Sequence, residues 1–289
     1  MPSLKSLKLR IASVRSTQKI TRAMNLVATA KLRGAQAAAL AGRPFAEGAA
    51  RVIGNLAVNM TGPEAPKLLT GTGRDQTHLL VVVTSERGLC GAYNANIVRL
   101  ARRRADDLLA QGRTVKLYVV GRKGRAPLQR THGRHVIATR SIEGRKILAF
   151  AEAKVLADDL IARFSAGEFD VAHILYAYYR SALVQVPTEE RLIPVRRPEV
   201  GDRLPAAIEF EPSPEAILTE LLPRSVAAQI YQCLLEARAS EEGARMTAMD
   251  SATRNAGEML GRLTLTYNRT RQAAITKELI EIISGAEAV

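Results

Sequence analysis

The amino-acid sequence predicts an α/β protein in which a long antiparallel coiled coil of the N- and C-terminal helices accompanies a central α/β domain. Three observations carry this. Both ends of the 289-residue chain are long, poor in helix breakers and apolar at helical spacing. The middle alternates β-branched apolar runs with helical stretches. Hydrophobic residues make up 47% of the chain but aromatics only 4%, with no Trp, which suits thin helix packing better than a bulky core.

Residues 1–60 read as the N-terminal coiled-coil helix. Its stripe begins Leu4, Leu7, Ile11, Val14, the alternating steps of a heptad. It is expected to continue through Thr17, Ile20, Met24 and Val27. The step from Val14 to Thr17 repeats a three, so the seam should slip phase there. Beyond Lys31 the face becomes small, with Ala35, Ala38, Ala39 and Ala41. Gly42 and Pro44 leave both a kink and a stop open. Continuous to Ala57, the helix would be roughly 85 Å long.

Residues 61–76, rich in Gly, Pro and Thr, read as a linker. Residues 77–200 read as the central α/β domain. Strands are expected at 78–84, 114–120, 136–138, 171–179 and 183–194, and helices at 92–110, 122–130 and 147–164. The alternation implies a largely parallel, Rossmann-like sheet covered by helices. The last two strands should be antiparallel, because too few residues separate them for a crossover.

Residues 201–213, within a proline-rich run, read as a second linker. Residues 214–289 then read as the C-terminal coiled-coil helix that pairs with 1–60. Ser213 is its expected N-cap, Pro214 its first position and Pro223 a candidate kink. Its seam is Met246, Met249, Thr253, Ala256, Leu260, Leu263, Tyr267, Thr270 and Ala274, in strict alternation of 3 and 4.

Charge narrows the function. The chain carries +14 overall, and residues 1–43 hold nine Lys or Arg and no acid. That excess suits either a solvated helix face or an anionic partner, whether nucleic acid, lipid or an acidic protein surface. The two cysteines, Cys90 and Cys233, lie far apart, and no His stands at metal-ligand spacing with them. No apolar run reaches the length of a membrane-spanning helix. The acid-free N-terminus has the composition of a transit peptide, but its apolar stripe starts at Leu4 and reads as mature structure.

Catalytic signals are weak. The loop from Ser85 to Gly91 follows a strand and precedes a helix, yet it lacks the GxGxxG spacing of a dinucleotide site. A tight turn that exposes Arg87 fits it better. Gly121-Arg122-Lys123-Gly124-Arg125 is basic but is not a Walker A loop, and a solvated helix start fits it better than a phosphate site. No clustered acid, base and nucleophile is evident. The far end of the last helix mixes Arg269, Arg271, Gln272, Thr276, Lys277 and Glu278 with Ile275, Leu279, Ile280, Ile282 and Ile283. A helix end apolar on several sides is expected to be enclosed by other subunits.

Particular motifs give the pattern a family. Near the start stand Ile11-Ala12-Ser13-Val14, Thr17-Gln18-Lys19-Ile20-Thr21, Ala23-Met24, Val27-Ala28 and Lys31-Leu32-Arg33. The end reads ITKELIEIISGAEA from Ile275 to Ala288. Between them lie Arg245-Met246, Ala248-Met249, Asn268 through Gln272, and the loop TSERGLCGAYN from Thr84 to Asn94. Over nearly its whole length the chain resembles the gamma subunit, the central rotor shaft, of the rotary ATP synthases.

The resemblance implies a non-catalytic subunit without a cofactor or metal of its own. The helix pair would stand inside a ring of alpha and beta subunits, with the α/β domain near the epsilon subunit and the c-subunit ring. Rotation would couple proton flow through the membrane sector to ATP synthesis or hydrolysis in the ring. Carried over by motif, Met24, Arg87, Arg245, Arg271, Gln272, Thr276 and Glu278 would make the coupling contacts. Arg271 and Gln272 would be polar catches to a beta-subunit loop, and Arg87 would meet another, acidic, beta loop. The implied place is peripheral, on the cytoplasmic face of a bacterial inner membrane, or the matrix face for a processed mitochondrial form. The alternative is a basic coiled-coil protein that binds nucleic acid; a nucleotide-dependent enzyme built on the α/β domain is a further rival.

Overall fold

The computed structural model describes residues 3–58, 65–142, 148–195 and 214–287. Residues 61–64 and 201–213 of the expected linkers, and Ile147 at an expected helix start, lie outside this set. The chain divides into two compact units, Met1–Ala28 with Arg245–Val289, and Thr29–Ala244. Two long helices contribute to both: α1 (Leu4–Val58) and α6 (Pro214–Glu287). Helix α1 continues through Gly42 and Pro44. Gly42 serves close approach, since a Cβ there would lie 2.3 Å from Gln232 Oε1 of α6.

In the unit Thr29–Ala244 a one-turn helix, α2 (Lys67–Thr70), places Leu69 in the core. The strands are β1 (Thr77–Val83), β2 (Thr114–Val120), β3 (Val136–Arg140), β4 (Val171–Tyr179) and β5 (Gln185–Ile193). Helices α3 (Tyr93–Ala110), α4 (Arg122–His132) and α5 (Phe150–Ser165) connect them. The sheet order is β3-β2-β1-β4-β5, parallel except for β5, which pairs antiparallel with β4 as its short connection requires.

The apolar runs of β1 and β2 are buried on both faces because helices cover both. Leu79, Val81 and Val83, with Ile174 of β4, meet Leu156, Leu160 and Phe164 of α5 and Leu218, Leu222, Val226 and Ile230 of α6. On the opposite face Leu80, Val82, Leu117 and Val119 meet Ile97, Ala101, Ala105 and Leu108 of α3 and Leu128 of α4. The first half of α6 is therefore a core helix of this unit.

One glycine fixes the start of α4. Gly121 has φ 91°, and a Cβ there would lie 2.1 Å from the Thr84 carbonyl oxygen. The Thr84 hydroxyl accepts the Gly124 N–H at 2.9 Å and donates to the Val120 carbonyl at 2.9 Å. Strain and collision add, so Gly121→Ala should cost about 3 kcal/mol. Urea unfolding of the full chain measures this, and a loss within experimental error of zero would contradict the assignment.

The unit of the two chain ends is an antiparallel helix pair. Asn25 of α1 reaches the Met246 carbonyl of α6, Thr21 reaches Thr253, and Gln18 lies against Gly257. On α6 the covered positions include every residue of the expected seam from Met246 to Ala274. On α1 the expectation needs correcting. The covered stripe is Leu4, Leu7, Ile11, Val14, Gln18, Thr21, Asn25 and Ala28, with Met24 half-buried beside it. Thr17 is exposed, as are Ile20 at 57% and Val27 at 55%. The stripe keeps the alternation of 3 and 4 without a phase slip. Spacing overrides side-chain polarity here, because a supercoiled helix keeps one face toward its partner whatever occupies it.

Candidate functional site

The helix pair presents three surfaces. Its middle is a narrow seam, closed by small and polar side chains at Thr21, Ala28, Thr253 and Ala256. Its flank on α1 is cationic: Lys5, Lys8, Arg10, Arg15, Lys19 and Arg22 are all exposed. Among the described residues no ion pair reaches them, whereas Arg254 of α6 pairs with Asp250 at 3.0 Å. Its end is apolar. The contacts 21 with 253 and 18 with 257 fix the register, which carried to the start of α1 sets Leu4 opposite Thr270. From Ile275 to Ser284 α6 is exposed on every side.

That terminal stretch is amphipathic. At about 100° per residue, Ile275, Leu279, Ile280, Ile282 and Ile283 cover an arc of roughly 160°. Lys277 and Glu281 pair at 3.3 Å on the other side. The sequence suggested apolar groups on several sides; the helix instead gathers them on one broad face. Such a face, exposed among the described residues, calls for an external partner.

The expected contact residues do not converge on one point. Met24 and Arg245 are both half-buried and flank the hydrogen bond from Asn25 to the Met246 carbonyl, 2.9 Å long. Arg271, Gln272, Thr276 and Glu278 are exposed on α6, beginning roughly 39 Å further along at 1.5 Å per residue. The Thr276 hydroxyl donates to the Gln272 carbonyl at 3.0 Å. Arg87 belongs to the α/β unit, exposed on the loop after β1, where its carbonyl accepts from Ser85 Oγ at 2.6 Å. Sequence reasoning missed the polar seam group Gln18, Thr21 and Asn25, which continuing the 3-and-4 count from Val14 would have found.

For a nucleotide site on the α/β unit, the position of α6 counts against the reading. Ligands of doubly wound sheets sit outside the strand carboxyl ends, where the strand order reverses. Here β1 is followed by β2 on one side and flanked by β4 on the other. Helix α6 closes one side of that crevice and leaves a cavity lined by Val83, Thr84, Tyr93, Gly121, Ala237 and Glu241. Its Ala237 carbonyl accepts from Tyr93 Oη at 3.1 Å, Ser240 Oγ donates to the Ala177 carbonyl at 2.9 Å, and Glu236 Oε2 accepts the Tyr179 N–H at 3.2 Å. At the start of α4 the chain's own carboxylate takes an anion's position: Glu86 Oε2 faces the Arg122 N–H at 3.4 Å and its Nε at 3.1 Å. A second polar cavity, lined by Arg43, Tyr176, Glu190, Cys233 and Glu236, holds no activated nucleophile. Burial, with Glu190 adding to it, pushes the Cys233 thiol well up, and burial likewise raises the Tyr176 phenol, which hydrogen-bonds Glu190.

A family model described as ATP synthase matches residues 3–289. The chain is 60% identical to the ATP synthase gamma chain of Rhizorhabdus wittichii and 57% identical to that of Methylorubrum extorquens, each match covering 100% of both chains. In fold it is similar to a chain of the Euglena gracilis mitochondrial ATP synthase, with TM-score 0.67 and 18% identity over 99% of this chain and 94% of that one. It is also similar in fold to a chain of the Tetrahymena thermophila mitochondrial ATP synthase central stalk and c-ring, with TM-score 0.61 and 24% identity over 81% and 99%.

Proposed function

The chain belongs to the ATP synthase family as a gamma chain, and on that premise we propose that its helix pair is the rotor shaft of the enzyme. The alpha and beta subunits form a ring around the pair, and the α/β unit meets the epsilon subunit and the c-subunit ring. Ion flow through the membrane sector turns the shaft, and the shaft's asymmetry sets the catalytic sites of the ring into different states. ATP chemistry resides in the ring; this chain is non-catalytic.

The observation that carries the reading is the exposed apolar arc from Ile275 to Ile283, set at the end of a helix pair whose α1 flank exposes Lys5, Lys8, Arg10, Arg15, Lys19 and Arg22, with no ion pair to them among the described residues. An apolar end turns inside an apolar collar without leaving charges buried and unpaired. The cationic flank attracts acidic loops through contacts that are remade at each step. Among the described residues no helix is long and apolar enough to cross a membrane. On the rotor reading the complex associates with the membrane through its c ring, and this chain lies on the cytoplasmic face of a bacterial inner membrane.

Met24 and Arg245 near the middle of the pair, and Arg271, Gln272, Thr276 and Glu278 toward its end, are the proposed coupling contacts; Arg87 is a separate contact to an acidic beta loop. The test is purification of the membrane complex and a disulfide from the apolar arc to the ring. The shaft should be recovered at one copy per ring, and the cross-link should stop ATP hydrolysis reversibly. Recovery without alpha and beta subunits, or full hydrolysis in the cross-linked complex, would overturn the reading.

Deletion of residues 276–289 removes all of the arc but Ile275 and leaves the seam through Ala274. Recovery of assembled complex should fall several-fold and persist. Complete loss of the ring would show that the arc, rather than the seam, holds the shaft in place.

A further inference from the structure

Gln18, Thr21 and Asn25 occupy seam positions that apolar residues would fill more stably. Thr21 is only 9% exposed, and Gln18 and Asn25 are half-buried. Their hydrogen bonds cross to α6 in a closed relay. The Thr253 and Thr21 hydroxyls meet at 2.8 Å; Thr253 Oγ1 also lies 2.7 Å from the Met249 carbonyl and Thr21 Oγ1 3.1 Å from the Gln18 carbonyl, and Gln18 Nε2 points back at the Thr253 carbonyl at 3.5 Å. One turn further, Asn25 Nδ2 donates to the Met246 carbonyl at 2.9 Å. Gly257 leaves room for the arm of Gln18, since a Cβ there would lie 3.0 Å from Gln18 Nε2.

Apolar seam contacts are non-directional and tolerate sliding by a step. Hydrogen bonds at fixed positions do not, because a slip leaves half-buried polar groups without partners. Above and below the relay the seam is ordinary: Leu7, Ile11 and Val14 on one side, Ala28 on the other. Small seam residues near the relay, Ala28 and Ala256, give little interlocking of their own.

We propose that Gln18, Thr21 and Asn25, with Thr253 and the Met246 carbonyl, form a polar lock that fixes the register of the two helices and keeps them from sliding past each other under torque. These are positioning residues. The register part stands on the helix pair itself; the torque part rests on the rotor reading.

The test uses the assembled complex. The register sets Val14 opposite Leu260 and one seam step from Leu263. Disulfide formation in V14C/L260C is compared with that in V14C/L263C, during ATP hydrolysis and at rest. With the lock intact the first pair should form far faster, because a step of about 5 Å lies outside disulfide reach. In the background Q18L/T21V/N25L that preference should fall roughly tenfold during turnover, from the loss of two to three directional bonds. Protons pumped per ATP should fall with it while hydrolysis continues. T21S, which keeps the hydroxyl, should behave as the unmodified chain, and T21V alone serves if the triple variant fails to assemble. Unchanged cross-link preference in an assembled apolar variant would overturn the lock. A preference lost with full pumping would overturn its role under torque. Failure of the rotor reading is distinguishable, since the unmodified chain would then survive cross-linking to the ring with full activity.

Discussion

Met24→Lys should uncouple the enzyme, leaving ATP hydrolysis largely intact while proton pumping falls about tenfold. Met24 is half-buried at the edge of the seam, next to the Asn25 contact with the Met246 carbonyl and in the same stretch as the half-buried Arg245. Methionine there offers a soft apolar surface that forms no directional bond. An ammonium on a four-carbon arm is driven outward by the seam and by Arg245, and it meets whatever acceptor the ring presents. One added charge-assisted hydrogen bond is worth about 1.5–3 kcal/mol. Because roughly 1.4 kcal/mol is a tenfold rate change, a bond present in one rotational state slows the step that must break it by that factor or more. Hydrolysis proceeds because ATP binding drives past the catch; transmission to the membrane sector does not keep pace. The measurement is ATP-driven acidification of membrane vesicles against phosphate release. Normal pumping per ATP would exclude Met24 from the coupling surface.

The same stretch shows what the sequence made legible and what it concealed. On α6 the seam from Met246 to Ala274 was readable residue by residue, since steps of 3 and 4 recur with apolar or small side chains throughout. On α1 the eye follows apolarity, and Ile20 and Val27 draw the stripe off its true line. Periodicity fixes which positions face the partner; residue type decides only what happens there. Exposed isoleucine and valine on the flank, with Gln, Thr and Asn in the seam, violate local consistency, and such violations gather at functional or register-setting sites.

The strands and their order of appearance were legible because β1 is a nearly continuous apolar, β-branched run and β2 is apolar apart from Thr114 and Lys116, as a sheet covered on both faces requires. The first half of α6 was not. Residues Val226, Ala227, Ile230, Leu234 and Ala237 pack on the sheet while Ala239 and Ser240 also lie buried, so covered positions occur around much of the helix. A helix apolar on most sides signals burial without naming its partner. Nothing local indicates that this stretch closes one side of the crevice at the strand ends, since that depends on contacts such as Tyr93 with Ala237, 144 residues apart.

Arg43→Ala should destabilise the α/β unit by about 3–5 kcal/mol, the largest stability loss expected from a single polar deletion here. The reason lies in Glu236, whose side chain is only 2% exposed. Arg43 Nε meets Glu236 Oε1 at 2.9 Å, the same oxygen receives Gln232 Nε2 at 3.0 Å, and Oε2 takes the Tyr179 N–H at 3.2 Å. The Arg43 guanidinium also lies 5.1 Å from the centre of the Tyr178 ring. Removing it leaves a buried carboxylate held only by neutral donors, with its charge uncompensated. The pair itself is not the source of stability, because both partners were dehydrated to form it. An apolar replacement of both, R43M/E236L, should therefore recover most of what R43A loses, and the double-mutant cycle should show strong coupling. Urea unfolding of the full chain provides the four values. Equal and additive losses from the two single changes would mean that Glu236 is held by its neutral donors alone and that Arg43 contributes only surface packing.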